Sequence, residues 1–190
     1  MSTTGLSARD LLPTAAKEFG SRVLDIPDDA WDRPTPCSEW TVRDLVGHLV
    51  VEHLWALPLL EGATTAEVGA RFDGDVLNAN PQKSWTRAIN DSMDAWAVAG
   101  ADDTVQLSSG ERPVDEYAEE MLLDLTVHAW DLARGAGLSE DLDDDVVAHV
   151  LAYARAHEHE LTRSGLFHDP VHADSQDPQA RLLALLGRRP

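Results

Sequence analysis

Apolar residues recur at helical spacing along most of this chain and predict a series of amphipathic helices. The first is predicted from about residue 8 to 25 with Ser7 as its N-cap, and the second from Thr41 to about Leu57, where Pro58 should kink or end it. A third is predicted from Pro81 to about Ala99, because proline is favoured in the first turn of a helix. Each of these segments carries one apolar face, which is typical of helices that share a core.

The second half of the chain continues the helical pattern. A fourth helix is predicted to begin near Asp115 and to end at Gly135 or Gly137. A fifth is predicted from Leu142 to Ser164, with acidic residues in its first turn, where the helix dipole favours negative charge. Residues 165–177 are expected to be extended, and a last short helix should follow them and pack back on the core.

The segments between the helices carry turn chemistry and little strand pattern. Ile26 to Glu39 is predicted to be a loop because its prolines break helices, and residues 61–80 are predicted to form a loop or a short helical turn. Thr104 to Leu107 is the one strand-like piece. Long helices with so little strand predict an all-α fold, a helical bundle, and a length of 190 residues predicts one domain spanning 1–190.

Composition narrows the class of partners and the compartment. The 34 acidic and 15 basic side chains give a net charge of −19, which repels nucleic acid and anionic membrane surfaces, so neither is expected as a partner. No apolar run approaches the roughly 18 residues that a membrane span needs. A single cysteine, Cys37, excludes an internal disulfide, and the N-terminus lacks the pattern of a signal peptide. A cytoplasmic location is therefore expected.

Polar side chains interrupt the apolar face of the fourth predicted helix. Asp124, His128 and Asp131 are four and three residues apart, so they fall on one face, which also carries Met121 and Leu125. Burying such groups without a partner costs several kcal/mol. Each of these side chains therefore needs a hydrogen-bond partner, a counter-charge or an ion.

The second predicted helix shows the same anomaly, because His48 lies among Leu45 and Leu49. We hypothesise that the two helices meet and hold one divalent metal through His48, Asp124 and His128. Two imidazoles and one carboxylate suit zinc or a similar first-row ion, and three protein ligands leave one position open. The alternative is that these are ordinary core histidines with hydrogen-bond partners. When the spacing of the residues is the only evidence, this alternative is favoured over a metal site.

Two stretches resemble the signatures of a known family. Residues 36–49, PCSEWTVRDLVGHL, resemble the signature P-C-x-x-W-T-V-R-D-L-x-x-H-L of the DinB-like superfamily. Residues 123–134, LDLTVHAWDLAR, resemble the second signature of its actinobacterial branch, the proteins related to the N-terminal domain of mycothiol-dependent maleylpyruvate isomerase. Residues 181–188, RLLALLGR, are similar to the usual C-terminus of that branch.

The resemblance implies a four-helix bundle with an extra C-terminal helix or tail and a metal at one end of the core. The family takes one ligand from the second helix and two ligands, four residues apart, from a later helix. These positions fall on His48, Asp124 and His128, with zinc as the expected ion and nickel as the alternative. The isomerase of that branch has a Glu at the position of Asp124. Because aspartate is one methylene shorter than glutamate, the affinity for metal or the choice of metal is expected to differ.

Three functions remain open at this point. The resemblance implies a metal-dependent thiol transferase, an S-transferase or isomerase in which a low-molecular-weight thiol such as mycothiol, held as a metal-bound thiolate, attacks an electrophilic small molecule. The second is a hydrolase that uses metal-bound water, with Glu52 or Asp131 as the base. The third is a non-catalytic protein that binds a metal or a small molecule.

Other residues near the predicted cluster are open to more than one interpretation. Asp131 could accept a hydrogen bond from a ligand imidazole or pair with Arg134 or a neighbouring helix. Glu52 could be a fourth ligand, a base, or a solvated or paired carboxylate. Cys37 would lie about 16 Å from His48 if the intervening residues were helical, which makes it a poor ligand and favours a small buried side chain in the loop.

His53 is five residues from His48 and is therefore expected off its face. The six tryptophans are expected mainly in the core, although Trp130 could instead form the wall of a pocket. A long apolar helix face is compatible with a homodimer.

Overall fold

The computed structural model describes residues 5–100 and 102–190. Residues 1–4, at the N-terminus where a signal pattern was sought, and residue 101 lie outside the described ranges. The helices in these ranges are α1 (Ala8–Asp25), α2 (Val42–Leu60), α3 (Thr65–Val68), α4 (Pro81–Val98), α5 (Val114–Ala136), α6 (Asp144–Ala156), α7 (Glu158–Ser164) and α8 (Pro178–Leu185). The strands are β1 (Thr104–Leu107) and β2 (Gly110–Pro113). Because these two short strands are the only sheet in the described ranges, the predicted all-α fold is confirmed.

The long helices α1, α2, α4 and α5 form a four-helix bundle. Helix α1 packs mainly on α5, and α2 packs mainly on α4; α2 also contacts α5, and α1 contacts α4. The later helix α6 lies against α5 and α8. The apolar faces predicted from the sequence meet in this core, whose largest fully buried side chains include Trp85, Trp130, Phe19, Leu12, Leu45 and Leu122.

Reciprocal hydrogen bonds fix the starts of α1 and α2 where the sequence predicted them. The Thr41 hydroxyl accepts from the backbone N–H of Asp44, and the Asp44 carboxylate accepts from the backbone N–H of Thr41 at 2.9 Å. Ser7 and Asp10 make the same capping box at α1. Such a cap satisfies amide groups that a helix end would otherwise leave open, and at α2 it sets the rotation of the helix seven residues before His48.

The prediction that α2 ends near Leu57 was wrong, because the helix continues through Pro58 to Leu60. Proline this close to a helix end removes one hydrogen bond, the one its missing N–H would have donated. The next backbone bond of the last turn is still made, since Glu61 N–H donates to the Leu57 carbonyl at 3.1 Å. Pro58 is buried, so packing offsets the lost bond.

The predicted fifth helix from Leu142 to Ser164 was also wrong as one element, because it breaks at His157 into α6 and α7. His157 has φ −113° and ψ 16°, outside the helical region. Its Nδ1 lies 3.0 Å from the Tyr153 carbonyl, which also accepts from the backbone N–H of His157 at 3.1 Å. Asp143, which was expected inside the first turn, is instead the N-cap and accepts from two amides of that turn.

The predicted strand Thr104–Leu107 is present and pairs with β2 in an antiparallel hairpin, with Leu107 opposite Gly110. The sequence did not reveal β2, because its residues GERP are all exposed and show no alternation. The hairpin leads directly into α5. Across the described ranges, no helix combines the length and the apolar character that crossing a membrane requires.

Candidate metal centre

Helices α2 and α5 bring the three predicted ligands together. Nε2 of His48 lies 3.1 Å from Asp124 Oδ2, and Nε2 of His128 lies 3.2 Å from Asp124 Oδ1. Each of the three residues offers a donor atom, and these atoms all lie within 4.8 Å of one another. One turn of α5 separates Asp124 from His128, which is why both can face the same point.

These distances suit a small divalent cation. Donor atoms around a tetrahedral zinc ion are about 3.3 Å apart, because each lies about 2.0–2.1 Å from the metal. The exposed fractions of the side chains are 27% for His48, 24% for Asp124 and 6% for His128. The cluster therefore opens to solvent on the side of His48 and Asp124, and the donor set of two imidazoles and one carboxylate fits the implied metal.

Asp124 and His128 stabilise each other's charged forms. Burial alone would raise the pKa of Asp124, but the charges and hydrogen bonds of His128 and His48 more than offset it and hold this pKa far below its usual range. Burial alone would lower the pKa of His128, but the carboxylates of Asp124 and Asp131 raise it to about 9. A metal would bind the neutral imidazole, so binding would release this proton.

Asp131 accepts from both His128 and a distant arginine. Its Oδ2 lies 3.1 Å from His128 Nδ1, and Arg188 donates to it from Nη2 at 2.8 Å and to Oδ1 from Nε at 3.3 Å. Asp131 is completely buried, and although burial opposes it, these hydrogen bonds lower the pKa of Asp131. The alternative pairing with Arg134 was wrong, because Arg134 pairs with Glu140 at 2.6 Å.

Reasoning from the sequence missed Arg188, which lies 57 residues from Asp131 in the segment after α8. Arginine side chains are ordinarily solvated, yet this one is 4% exposed. Gly187, with φ +78°, turns the chain after α8, and Arg188 N–H donates to the Leu183 carbonyl at 2.8 Å. The available signal was the resemblance of residues 181–188 to the C-terminus of the family.

Cys37 lies in the loop that the sequence predicted before α2, so the separation of about 16 Å that a helical span would give does not apply. The chain doubles back there, and a β-bridge joins Pro34 to Thr41. The sulfur of the half-buried Cys37 therefore lies within 4.8 Å of donor atoms of His128 and Asp131. Burial, with the negative charge of Asp131, raises the pKa of this thiol and keeps it protonated.

Trp40 covers the two imidazoles of the cluster, and reasoning from the sequence had placed it only among the core residues. Its ring centroid lies 4.8 Å from that of His48 and 5.8 Å from that of His128, while the two imidazoles meet edge to face at 5.3 Å. The signal was its fixed place in the first signature. Trp130, by contrast, is 1% exposed and belongs to the core as predicted.

Glu52 and His53 lie beside the cluster without joining its donor set. Glu52 Oε1 is 4.0 Å from His48 Nδ1, which is beyond hydrogen-bond distance. Burial and the negative charge of Asp124 raise the pKa of Glu52. His53 is fully buried, and its Nδ1 lies 2.9 Å from Ser92 Oγ, so it links α2 to α4. This position agrees with the prediction that His53 lies off the face of His48.

A groove of about 650 Å³ adjoins the exposed side of the cluster. One wall is the start of α2, from Glu39 to Val51, and includes Trp40 and His48. The other wall is the segment from Gly74 to Leu77, which precedes α4. This volume is in the range of small-molecule sites.

Comparisons with known proteins match this architecture. Residues 12–133 match the family described as the mycothiol maleylpyruvate isomerase N-terminal domain. Two uncharacterized proteins from two strains of Mycobacterium tuberculosis are each 36% identical over 146 residues, which covers 75% of this chain and 74% of theirs. The family match, over residues 12–133, contains His48, Asp124, His128 and Asp131, but not Arg188.

Two crystal structures, of the mycothiol-dependent maleylpyruvate isomerase and of a point mutant of it, resemble the fold. Each superposes with a TM-score of 0.62 over 82% of this chain and 68% of the other, at 16% sequence identity. At this identity the structural similarity establishes a common fold.

Proposed function

The chain belongs to the mycothiol maleylpyruvate isomerase N-terminal domain family, and we propose that it is a metal-dependent protein that activates a low-molecular-weight thiol, mycothiol in the first instance, for attack on an electrophilic small molecule. The observation that carries this proposal is the convergence of His48, Asp124 and His128 within 4.8 Å at a solvent-accessible end of the core. Transfer of the thiol or isomerisation of the electrophile would complete the reaction.

Three residues would hold the metal. These are His48 and His128 through Nε2 and Asp124 through its carboxylate, a set that favours zinc and also accommodates nickel. When bound, the ion would lower the pKa of a thiol and favour the nucleophilic thiolate. Three ligands leave room for the thiol, and the exposed side of the cluster is where it would enter.

The surrounding residues would orient and enclose the donor set. Asp131 accepts from Nδ1 of His128, which leaves Nε2 of that ring as the lone-pair nitrogen facing Asp124 once the ring is neutral. Arg188 neutralises the buried charge of Asp131. Trp40 covers both imidazoles and keeps water from one side of the cluster.

Metal-dependent hydrolysis is the second candidate, and the position of Glu52 favours it. This carboxylate lies 4.0 Å from His48, and its raised pKa suits a general base. The two candidates differ in one requirement, because hydrolysis needs no thiol. Product formation that depends strictly on an added thiol would support the first candidate and exclude the second.

Metal content is the first test. Protein purified without an affinity tag should contain about one equivalent of zinc or nickel per chain, and the His128→Ala variant should contain almost none. The matched control is His149→Ala, because His149 pairs with Glu119 on the other side of α5 and should leave the metal in place. A wild-type protein that carries no metal and binds no added zinc or nickel at micromolar concentration would refute both metal-dependent candidates.

Thiol binding is the second test and needs no electrophile. Cobalt-substituted protein titrated with mycothiol should develop the near-ultraviolet absorption band of a cobalt–thiolate bond. Saturation of this band in the wild type and its absence in His128→Ala would support thiol activation. A loaded protein that gives no band would exclude thiol activation and leave metal-dependent hydrolysis or metal binding alone.

A further inference from the structure

A second group of metal-competent side chains lies around the other nitrogen of His128. Nε2 of this ring lies 3.2 Å from Asp124, whereas Nδ1 lies 3.1 Å from Asp131 Oδ2. Cys37 offers a sulfur within 4.8 Å of donor atoms of both His128 and Asp131. Sulfur, imidazole and carboxylate together are a donor set for divalent ions that favour thiolate, such as zinc and cadmium.

The loop before α2 holds Cys37 in this position. The Cys37 carbonyl accepts from the Trp40 N–H at 3.1 Å and from the Thr35 hydroxyl at 3.2 Å. The Thr35 N–H donates to the Trp40 carbonyl at 3.0 Å and closes the turn. Cys37 is half-buried and its neighbours Ser38 and Glu39 are exposed, so the sulfur lies on the solvent side of the group.

The three donors can close on an ion through a small movement of the Cys37 side chain. Sulfur and nitrogen ligands of a tetrahedral zinc ion are about 3.6 Å apart, because the metal lies about 2.3 Å from sulfur and about 2.0–2.1 Å from nitrogen. A shift of the sulfur by roughly 1 Å therefore suffices for zinc, and the larger cadmium ion needs less. His128 and Asp131 are almost completely buried, so they form the fixed side of the group.

The charge that opposes a cation at this position is Arg188. Its guanidinium donates to Asp131, from Nη2 to Oδ2 at 2.8 Å and from Nε to Oδ1 at 3.3 Å. A carboxylate has about four lone-pair sites, so Asp131 can keep Arg188 on one oxygen while the other oxygen binds an ion. The thiolate of Cys37 and the carboxylate of Asp131 balance the two charges of the ion. The repulsion from Arg188 remains and limits the affinity.

We infer that Cys37, His128 and Asp131 form a second metal site, which takes a thiophilic divalent ion and expels the metal of the first site. A metal–sulfur bond forms, and the thiol proton leaves to solvent without any change of oxidation state. A neutral imidazole has one lone-pair nitrogen, so an ion on Nδ1 leaves the ring proton on Nε2, the nitrogen that the first site requires. The second site needs no thiol substrate, so it is independent of the proposed thiol activation.

Cadmium titration of the zinc-loaded protein, in buffer without thiols, tests the inference. Cys37 is the single cysteine of the chain, so the ultraviolet charge-transfer band of a cadmium–thiolate bond reports on this site alone. We expect the band to saturate near one equivalent of cadmium. Elemental analysis after gel filtration should show that zinc is lost in proportion to the band.

Two variants assign each ion to its own site. Cys37→Ser should give no band and should retain its zinc at cadmium concentrations that empty the wild type, because a hydroxyl is a poor ligand for cadmium. His48→Ala should bind little zinc and yet develop the full cadmium–thiolate band, because His48 belongs to the first site only. The control Ser38→Ala, which removes the exposed contact of Ser38 Oγ with His168 beside Cys37, should behave like the wild type.

The charge of Arg188 gives an independent test. Arg188→Gln removes the repulsion from the second site and should raise the affinity for cadmium several-fold. A role of Arg188 in supporting His128 predicts the opposite sign for zinc at the first site. Cadmium affinity that falls together with zinc affinity in Arg188→Gln would contradict the second site.

The remaining outcomes distinguish this inference from the proposed function. Cadmium that binds without the band, or that displaces zinc equally well from Cys37→Ser, occupies the first site and overturns the inference while thiol activation stands. A saturated band with no loss of zinc would overturn the exclusion of one ion by the other. If the protein takes up no zinc, thiol activation fails, and the band in the metal-free protein still decides whether the second site exists.

Discussion

Asp131 is the residue whose role depends most on its surroundings. On α5 it lies one turn beyond His128, and its carboxylate accepts from that imidazole and from Arg188 while completely buried. An isolated buried carboxylate would be protonated or would destabilise the fold. Arg188 therefore keeps Asp131 ionised, and an ionised Asp131 fixes which nitrogen of His128 faces the cluster.

Removing the charge of Arg188 should weaken metal binding without touching a ligand. Arg188→Gln leaves the buried Asp131 without its counter-charge, so we expect zinc affinity to fall by about 10- to 100-fold and the free energy of unfolding to fall by roughly 3–5 kcal/mol. Zinc titration against a competing chelator measures the first effect, and urea unfolding of the metal-free protein measures the second.

Two further variants test whether these losses come from the buried charge of Asp131. Arg87→Gln, which removes an exposed partner of Asp91, should leave both quantities unchanged. Arg188→Leu combined with Asp131→Asn should recover much of the stability but not the affinity, because it removes both buried charges, and a neutral amide oxygen is a weaker acceptor for His128 than a carboxylate. Unchanged zinc affinity in Arg188→Gln would mean that the arginine serves the fold alone.

At the scale of elements, α2 is joined to two neighbours by histidines that lie five residues apart. His48 faces Asp124 on α5, and His53 bonds Ser92 on α4 at 2.9 Å. Helical geometry explains this division, because side chains that are five residues apart on an α-helix point in directions about 140° apart. The sequence predicted that His53 would be off the face of His48, but it could not identify Ser92 as the partner.

The α2–α4 contact should make the protein sensitive to acid. Burial lowers the pKa of His53 to about 4, below its ordinary value of 6.5, so the unfolded chain takes up a proton on this residue before the folded protein does. The stability from His53 is therefore present above pH 6.5 and is lost as the pH falls towards 4. The maximum loss is about 3 kcal/mol.

Urea unfolding between pH 7.5 and 4, with a chelator present, measures this loss. The difference in unfolding free energy between the wild type and His53→Leu should shrink as the pH falls, because only the wild type carries the proton-linked penalty. Comparing how the unfolding free energy of each protein changes with pH cancels the contributions of His128 and of the carboxylates, because both proteins contain them. Parallel curves for the two proteins would contradict a neutral, buried His53.

At the scale of the whole molecule, the candidate metal would connect two halves of the bundle. His48 comes from the α2–α4 pair, and Asp124 and His128 come from α5, which packs on α1. A ligand that binds only the folded protein stabilises it by about 4 kcal/mol at a concentration one thousand times its dissociation constant. For a chain of this length, such a gain corresponds to a rise in Tm of roughly 8–16 °C.

Removal of metal should therefore lower the melting temperature reversibly. We expect a chelator to reduce the Tm of the purified protein and added zinc to restore it, as monitored by circular dichroism or calorimetry. His128→Ala should melt at the same temperature with and without zinc, whereas His149→Ala should respond like the wild type. A zinc-independent Tm in the wild type would argue against a metal that joins α2 to α5.

Local pattern by itself determined much of this protein. Apolar spacing predicted the helices of the bundle, and capping residues such as Thr41 marked where α2 begins, because these are interactions between residues that are close along the chain. The three inward polar residues His48, Asp124 and His128 were also recognisable from the sequence, since a polar group on an apolar face needs a partner wherever it is buried.

Tertiary structure alone decided how distant segments complete the cluster. It folds the loop before α2 back so that Cys37 and Trp40 reach His128, and it brings Arg188 from the segment after α8 to Asp131. These features depend on contacts between residues far apart in the sequence, whose energies no local pattern of hydrophobic and polar positions contains.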